Sequence, residues 1–115
     1  MAAPTEIRFI KAERMLRVTF DDGSHFALPA ELLRVESPSA EVQGHSPDQR
    51  QIVPGKRDVS ILAVEPVGNY AVRLVFDDGH ATGIFSWEYL HELGRDHERR
   101  WTTYLTALQV RGLSR

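Results

Sequence analysis

Two stretches of the chain alternate apolar and polar positions with the same period and end on the same residues. Leu16-Arg17-Val18-Thr19-Phe20 and Val72-Arg73-Leu74-Val75-Phe76 each run directly into Asp-Asp-Gly, at Asp21-Asp22-Gly23 and Asp77-Asp78-Gly79. A period of two describes a strand with one face on a core. The Asp-Gly that closes each run predicts a type I′ hairpin turn, which needs positive φ at both central residues. A short apolar return follows each turn, Ser24–Leu28 in the first copy and His80–Phe85 in the second. Each return leads to a helix-like start, Pro29-Ala30-Glu31-Leu32-Leu33 and Ser86-Trp87-Glu88-Tyr89-Leu90. Pro29 suits a first helical turn. Ser86 suits an N-cap, with Phe85 and Leu90 flanking it as a hydrophobic staple and Glu88 at the positive helix end. Gly94 reads as the C-cap of that second helix.

The remaining segments complete the unit. Ile7–Ile10 and Val59–Val67 precede the two alternating runs as further strands, and Gly68-Asn69 marks a turn into the second. Trp101, Tyr104, Leu105 and Leu108 recur at helical spacing through His97–Val110, with Gly112 ending the helix. Residues 36 to 57 differ in texture: Ser37-Pro38-Ser39, Gly44-His45-Ser46-Pro47 and Pro54-Gly55-Lys56-Arg57 are turn formers and read as one long surface loop. The fold class expected is α+β: two small antiparallel β-sheet units, each followed by a helix, plus a C-terminal helix. With 115 residues, the chain is expected to form one domain over 1–115.

Composition narrows the chemistry. The chain has no cysteine, which excludes disulfides, thiolate metal sites and a cysteine nucleophile. A net charge of −2 offers no basic excess for phosphates, so no nucleic-acid partner is expected. No apolar run reaches the ~18 residues of a membrane span, and Met1–Glu6 lacks the pattern of a signal peptide; the expected location is cytoplasmic, without a membrane partner.

Candidate chemistry is sparse. His80 follows Asp77-Asp78-Gly79 directly and is the histidine of most interest, since neutral imidazole is a common metal ligand. Asp77 and Asp78 could offer oxygens to a cation, but the same acids stand in the first copy, which assigns them to the turn. His45 sits in the long loop and could join His80 only if the fold brings the two together. His25, His91 and His97 fall in a strand or at helix ends. No Gly-x-Ser-x-Gly elbow is present, and Pro54-Gly55-Lys56-Arg57 lacks the first glycine and the final hydroxyl residue of a phosphate-binding loop. Phe85, Trp87 and Tyr89 form an aromatic group at a helix entrance, suited to a core or, where exposed, to docking.

Taken together, Leu16–Gly23, Leu33–Glu41, Asn69–His80 and Gly83–Leu90 with Leu93-Gly94 resemble the gamma-butyrobetaine hydroxylase-like N-terminal domain family, long classed as a domain of unknown function. The resemblance is strongest over 6–95, leaving 96–115 as a C-terminal helical extension. It implies a small α+β domain that precedes the oxygenase domain of carnitine-pathway dioxygenases, accompanies P-loop scaffold ATPases of iron–sulfur assembly, or stands alone as a short bacterial protein. In the dioxygenases, the resemblance further implies a structural zinc held by a Cys-x-Cys-x-x-Cys run and a downstream histidine. On this sequence those positions fall on Ser37, Ser39, Val42 and His80. Serine is a poor zinc ligand and valine is none, so no tight zinc and no resident cofactor are expected.

The leading expectation is therefore a non-catalytic accessory or protein-interaction domain, with a protein partner or a second copy of itself, docking through sheet edges or through Phe85, Trp87 and Tyr89. The runner-up is a weak iron- or zinc-binding protein using His80 with Asp77, Asp78 and His45, linked to iron–sulfur assembly or dioxygenase function. A small hydrolase or isomerase built on a His/Asp pair ranks third.

Overall fold

The computed structural model describes residues 2–44 and 49–115. Among the described residues, six strands and four helices follow in the order β1 (Pro4–Ile10), β2 (Met15–Phe20), β3 (His25–Pro29), α1 (Ala30–Val35), α2 (Ala40–Gln43), β4 (Ile61–Val67), β5 (Ala71–Phe76), β6 (Ile84–Ser86), α3 (Trp87–Arg95) and α4 (His97–Val110). They build two three-stranded antiparallel sheets, β1-β2-β3 and β4-β5-β6, each followed by helices. The α+β architecture expected from the alternating runs is the one observed.

The repeat extends to details. Both outer strand pairs carry an irregularity at the same place, between Pro4 and Glu6 in β1 and between Ile61 and Ala63 in β4. At the entrance to each hairpin the first aspartate closes the sheet: Asp21 exchanges two hydrogen bonds with Ala3, and Asp77 exchanges the same two with Ser60. The second aspartate accepts from the backbone two residues on, Asp22 from the N–H of Ser24 at 2.9 Å and Asp78 from that of His80 at 3.1 Å. These are Asx-turns, and they explain why Asp-Asp-Gly recurs as a unit.

The turn itself differs from expectation. Among the described residues only Gly23 (φ +89°) and Gly79 (φ +91°) have positive φ in the hairpins; the aspartates do not. The N–H of Gly23 reaches Phe20 and the N–H of Phe20 reaches Ser24, a three-residue loop of a type I turn followed by a left-handed glycine, not a type I′ turn. The side chain of the second aspartate selects this outcome, because its bond to the backbone two residues on holds the turn at negative φ.

One core serves both halves. Leu16, Val18, Phe20 and Leu28 of the first sheet pack in the same cluster as Val72, Leu74, Phe76 and Phe85 of the second, together with Leu32 and Leu33 of α1 and Leu90 and Leu93 of α3. A second cluster of Val35, Tyr104 and Leu108 seats α4 against Ile52 and Val53 of the connecting segment. Gly94, expected as a C-cap, lies inside α3, whose cap is Asp96. Its role is close approach: a Cβ there would stand 2.3 Å from the Phe26 ring, so glycine lets α3 lie on β3 of the other half. The return strand β6 is shorter than His80–Phe85, because the chain from His80 to Gly83 turns to meet residues 37 to 43. That segment, expected as plain loop, holds the one-turn helix α2, capped by Ser39.

Candidate functional site

The second hairpin delivers His80 to the interior. Immediately after the glycine turn, its backbone pairs with Phe76, its N–H caps Asp78, and its ring lies 6.0 Å from that of Phe76. The side chain is 2% exposed. Nε2 lies 2.9 Å from Ser37 Oγ and Nδ1 lies 3.2 Å from Glu41 Oε2. Burial, reinforced by the positive charge of Arg34, lowers the pKa of His80 below its ordinary 6.5 despite the opposing pull of Glu41 and Asp78. The ring is therefore neutral at neutral pH. A carboxylate only accepts, so Nδ1 carries the proton toward Glu41, and Nε2 accepts the hydroxyl proton of Ser37.

Around this pair most polar groups are partnered, with Arg34 Nη1 the buried exception among the described residues. Ser37 Oγ accepts from the N–H of Ser39 at 3.3 Å, and its carbonyl accepts from Gln43 Nε2 at 2.9 Å. Ser39 Oγ accepts from the N–H of Glu41 and sits 2.7 Å from Thr82 Oγ1. Gly83 makes room: a Cβ at that position would meet Ser37 Oγ at 2.4 Å. Val42, next to Glu41 in α2, is 1% exposed. Beneath the ring, Asp78 accepts from Arg34 Nε and from Lys56 Nζ, each at 2.7 Å. Burial opposes ionisation of Asp78, but Lys56, the His80 N–H and Arg34 outweigh it and hold the pKa at about 2.

The order Ser37–His80–Glu41 repeats the donor–acceptor sequence of a serine hydrolase triad. Access decides against that chemistry. Ser37 is 0% exposed and its oxygen already accepts a backbone N–H, whereas Glu41, the orienting acid, is 63% exposed. A nucleophile must reach its substrate, so this relay holds the 37–43 segment onto the second hairpin and does not attack anything in this conformation.

The same residues answer the zinc question. Ser37, Ser39, Val42 and His80 do stand together, in the positions the family resemblance assigns to metal ligands. As donors they are two neutral hydroxyls, a valine and an imidazole with both nitrogens engaged, which does not fit zinc. Among the described residues no three His, Cys, Asp or Glu side chains are grouped for a metal. Asp77 faces Ser60 rather than His80. His45 lies outside the described residues. Phe85 is 0% exposed, while Trp87 and Tyr89 are half-buried, with Trp87 Nε1 donating to Asn69 O and the Tyr89 hydroxyl donating to Glu36 O.

Sequence reasoning missed Glu41, Arg34, Lys56 and Thr82. One signal was available. Arg34 is the fifth residue of α1 and His91 the fifth of α3, so the two occupy equivalent places in the repeat. Asp22 of the first hairpin binds His91 of the second half at 3.1 Å, as Asp78 of the second hairpin binds Arg34 of the first. Each hairpin tip reaches across to the opposite helix.

This layout matches known proteins. The sequence model described as gamma-butyrobetaine hydroxylase-like, N-terminal, matches residues 7–91. The chain belongs to that family. Among solved structures, a protein determined by NMR is 45% identical, with a TM-score of 0.86 over 100% of this chain and 90% of that one. A second NMR structure, also 45% identical, gives 0.87 over 100% and 86%. A crystal structure of a protein of unknown function from Acidithiobacillus ferrooxidans, assigned to the DUF971 family, is 48% identical, with a TM-score of 0.67 over 79% and 91%. No curated protein matches the chain. Among the described residues, no helix is long and apolar enough to cross a membrane.

Proposed function

We propose that this member of the gamma-butyrobetaine hydroxylase-like N-terminal family is a non-catalytic accessory domain that docks onto a protein partner or a second copy of itself. The observation that carries the reading is a contrast within the second half. Its polar cluster is held by internal hydrogen bonds around the buried Ser37 and His80, while large apolar side chains of the same half stand in solvent: Leu62 at 69%, Tyr70 at 56% and Ile84 at 46% exposure. Ile84 pairs with Arg73, whose side chain bonds Glu65 on the same sheet face. Leu62 projects from the β4 irregularity. Apolar side chains interspersed with one ion pair on an outward sheet face, with edge strands on both sides, suit a docking surface. The weak-metal reading gains nothing from the site, because both His80 nitrogens are engaged.

Size-exclusion chromatography with light scattering, run with wild type and a Leu62→Glu/Ile84→Glu variant, tests the proposal. Wild type is expected to associate with itself or to retain a partner in fixed stoichiometry, and the variant is expected to lose that association while keeping its melting temperature. A wild type that stays a single chain at every concentration and binds nothing the variant does not bind would sink it.

A further inference from the structure

Arg100 is poorly matched to its surroundings. Its side chain is only 15% exposed, yet the three carboxylates around it are all beyond hydrogen-bond reach: Glu36 Oε1 at 3.7 Å, Glu92 Oε1 at 3.7 Å and Asp96 Oδ2 at 3.9 Å. Its Nε is buried without a hydrogen-bond partner among the described residues. Unmade charge-assisted bonds on a buried guanidinium are costly and call for an explanation. The guanidinium rests on the Tyr89 ring, 5.6 Å from its centre, which fixes its position.

Arg100 also lines a cleft of about 410 Å³ between α4 and the connecting segment. That volume falls within the ~300–1,000 Å³ of small-molecule sites. Arg50, Arg99 and Thr103 stand with Arg100 on the polar side, and Ile52 with Ala107 on the apolar side. Glu36 lies at the base, 6% exposed, with Arg50 bonded to it. Arg99 is 68% exposed and, among the described residues, is held by Asp96 at 2.9 Å. Glu92 stands on the rim at 43% exposure.

We propose that this cleft binds a small monocarboxylate with a short apolar body. Arg100 supplies the buried donors, Arg99 closes over the anion from the mouth, and Ile52 with Ala107 receives the apolar end. The carboxylates of Glu36, Glu92 and Asp96 around the three guanidiniums set the charge class: they tolerate a monoanion but repel a phosphate dianion more strongly. A cationic ligand is disfavoured because the unpartnered group is a donor, and Glu36 already has Arg50.

The test is an NMR titration of the full chain with benzoate, its neutral isostere benzamide, and inorganic phosphate, following backbone amides and arginine Nε–Hε signals. Benzoate is expected to give saturable shifts at Arg100 Hε and at the Thr103 and Ala107 amides, and benzamide none. Arg100→Gln should weaken benzoate by about tenfold or more, as loss of a charged hydrogen bond does. Glu92→Gln, on the exposed rim, removes a competing carboxylate without touching the core and should tighten benzoate about two- to threefold. Benzoate shifts that fail to saturate, equal shifts with benzamide, tighter binding of phosphate, or an affinity indifferent to Glu92→Gln would each overturn the assignment. The last holds even if Arg100→Gln does not fold.

Discussion

Gly94→Ala tests how the two halves are held together. In an exposed helix interior this change stabilises by about 1 kcal/mol, because alanine restricts the unfolded chain and glycine does not. Gly94 sits inside α3, so propensity alone favours alanine. Against it stand three atoms of the Phe26 ring at 2.3, 2.4 and 2.5 Å from where the new Cβ would lie. Carbon atoms in contact prefer ~3.5–4.0 Å, so an overlap of more than an ångström must be relieved. These atoms are near the stem of the side chain, not its flexible end, and the ring is flanked by Phe20 at 6.1 Å and His91 at 5.4 Å. Phe26 must swing out, or α3 must lift from β3. Overpacking costs about 1–3 kcal/mol; an overlap of more than an ångström belongs in the upper part of that range, about 2–3 kcal/mol, which exceeds the propensity gain.

The expected net effect is a destabilisation of about 1–2 kcal/mol, read as a fall in Tm of roughly 4 °C per kcal/mol for a chain of this size. Urea unfolding in a double-mutant cycle isolates the cause. In a Phe26→Ala background the obstacle is gone, so Gly94→Ala should become neutral or stabilising, giving a coupling of about 2 kcal/mol. A rise in Tm on Gly94→Ala in the wild-type background, or a coupling near zero, would refute the claim that glycine is there for close approach.

Further outcomes concern the buried cluster. Ser37→Ala leaves Nε2 of His80 buried without a donor and should cost about 1–3 kcal/mol in denaturant unfolding, while a serine-directed fluorophosphonate should leave Ser37 unlabelled in the folded protein. His80 has a folded pKa below its unfolded 6.5, so the unfolded state binds the extra proton; its contribution is complete above pH 6.5 and is lost as pH falls toward the folded value. His80→Gln should flatten the pH dependence of Tm in that window, and an unchanged slope would contradict the neutral buried ring. Asp78→Asn should destabilise more than Asp22→Asn, because Asp78 is 16% exposed and leaves Arg34 and Lys56 unpaired, whereas Asp22 is the more open of the two. Prolonged treatment with a strong chelator should leave Tm unchanged, since Ser37, Ser39, Val42 and His80 do not form a metal donor set.

Much of the architecture was legible because it rests on local rules. Period-two runs gave β2 and β5, Ser86 gave a helix start with its hydroxyl accepting from the N–H of Tyr89 at 3.1 Å, and the tetrapeptide repeat gave two sheets. What was not legible depends on residues far apart in the chain. Nothing local tells that Glu41 meets His80, that Lys56 meets Asp78, or that Gly94 faces Phe26 instead of capping a helix. The turn type was misread for a related reason: Asp-Gly favours I′ by itself, but the preceding aspartate and the backbone bond of the second one shift the loop to type I plus a glycine bulge.

The cross-half contacts show where the two copies are free to differ. The frame requires an acid at the hairpin tip and a partner at the fifth helical position of the other half, and Asp22–His91 and Asp78–Arg34 both meet it. It does not dictate the residue after the glycine. In the first copy that residue is Ser24, whose hydroxyl lies 3.1 Å from Nε2 of His91 on α3. In the second it is His80, whose Nε2 lies 2.9 Å from Ser37, beyond the end of α1. A serine–imidazole pair stands beside each tip, with the two residue types exchanged between hairpin and helix side. The second arrangement is the more buried, because its histidine comes from the hairpin and is covered by residues 37 to 43, while His91 remains at a surface with Asp22. Burial at one tip and exposure at the other follow from which side supplies the ring, and so the two tips carry related polar groups of which the second is the buried one.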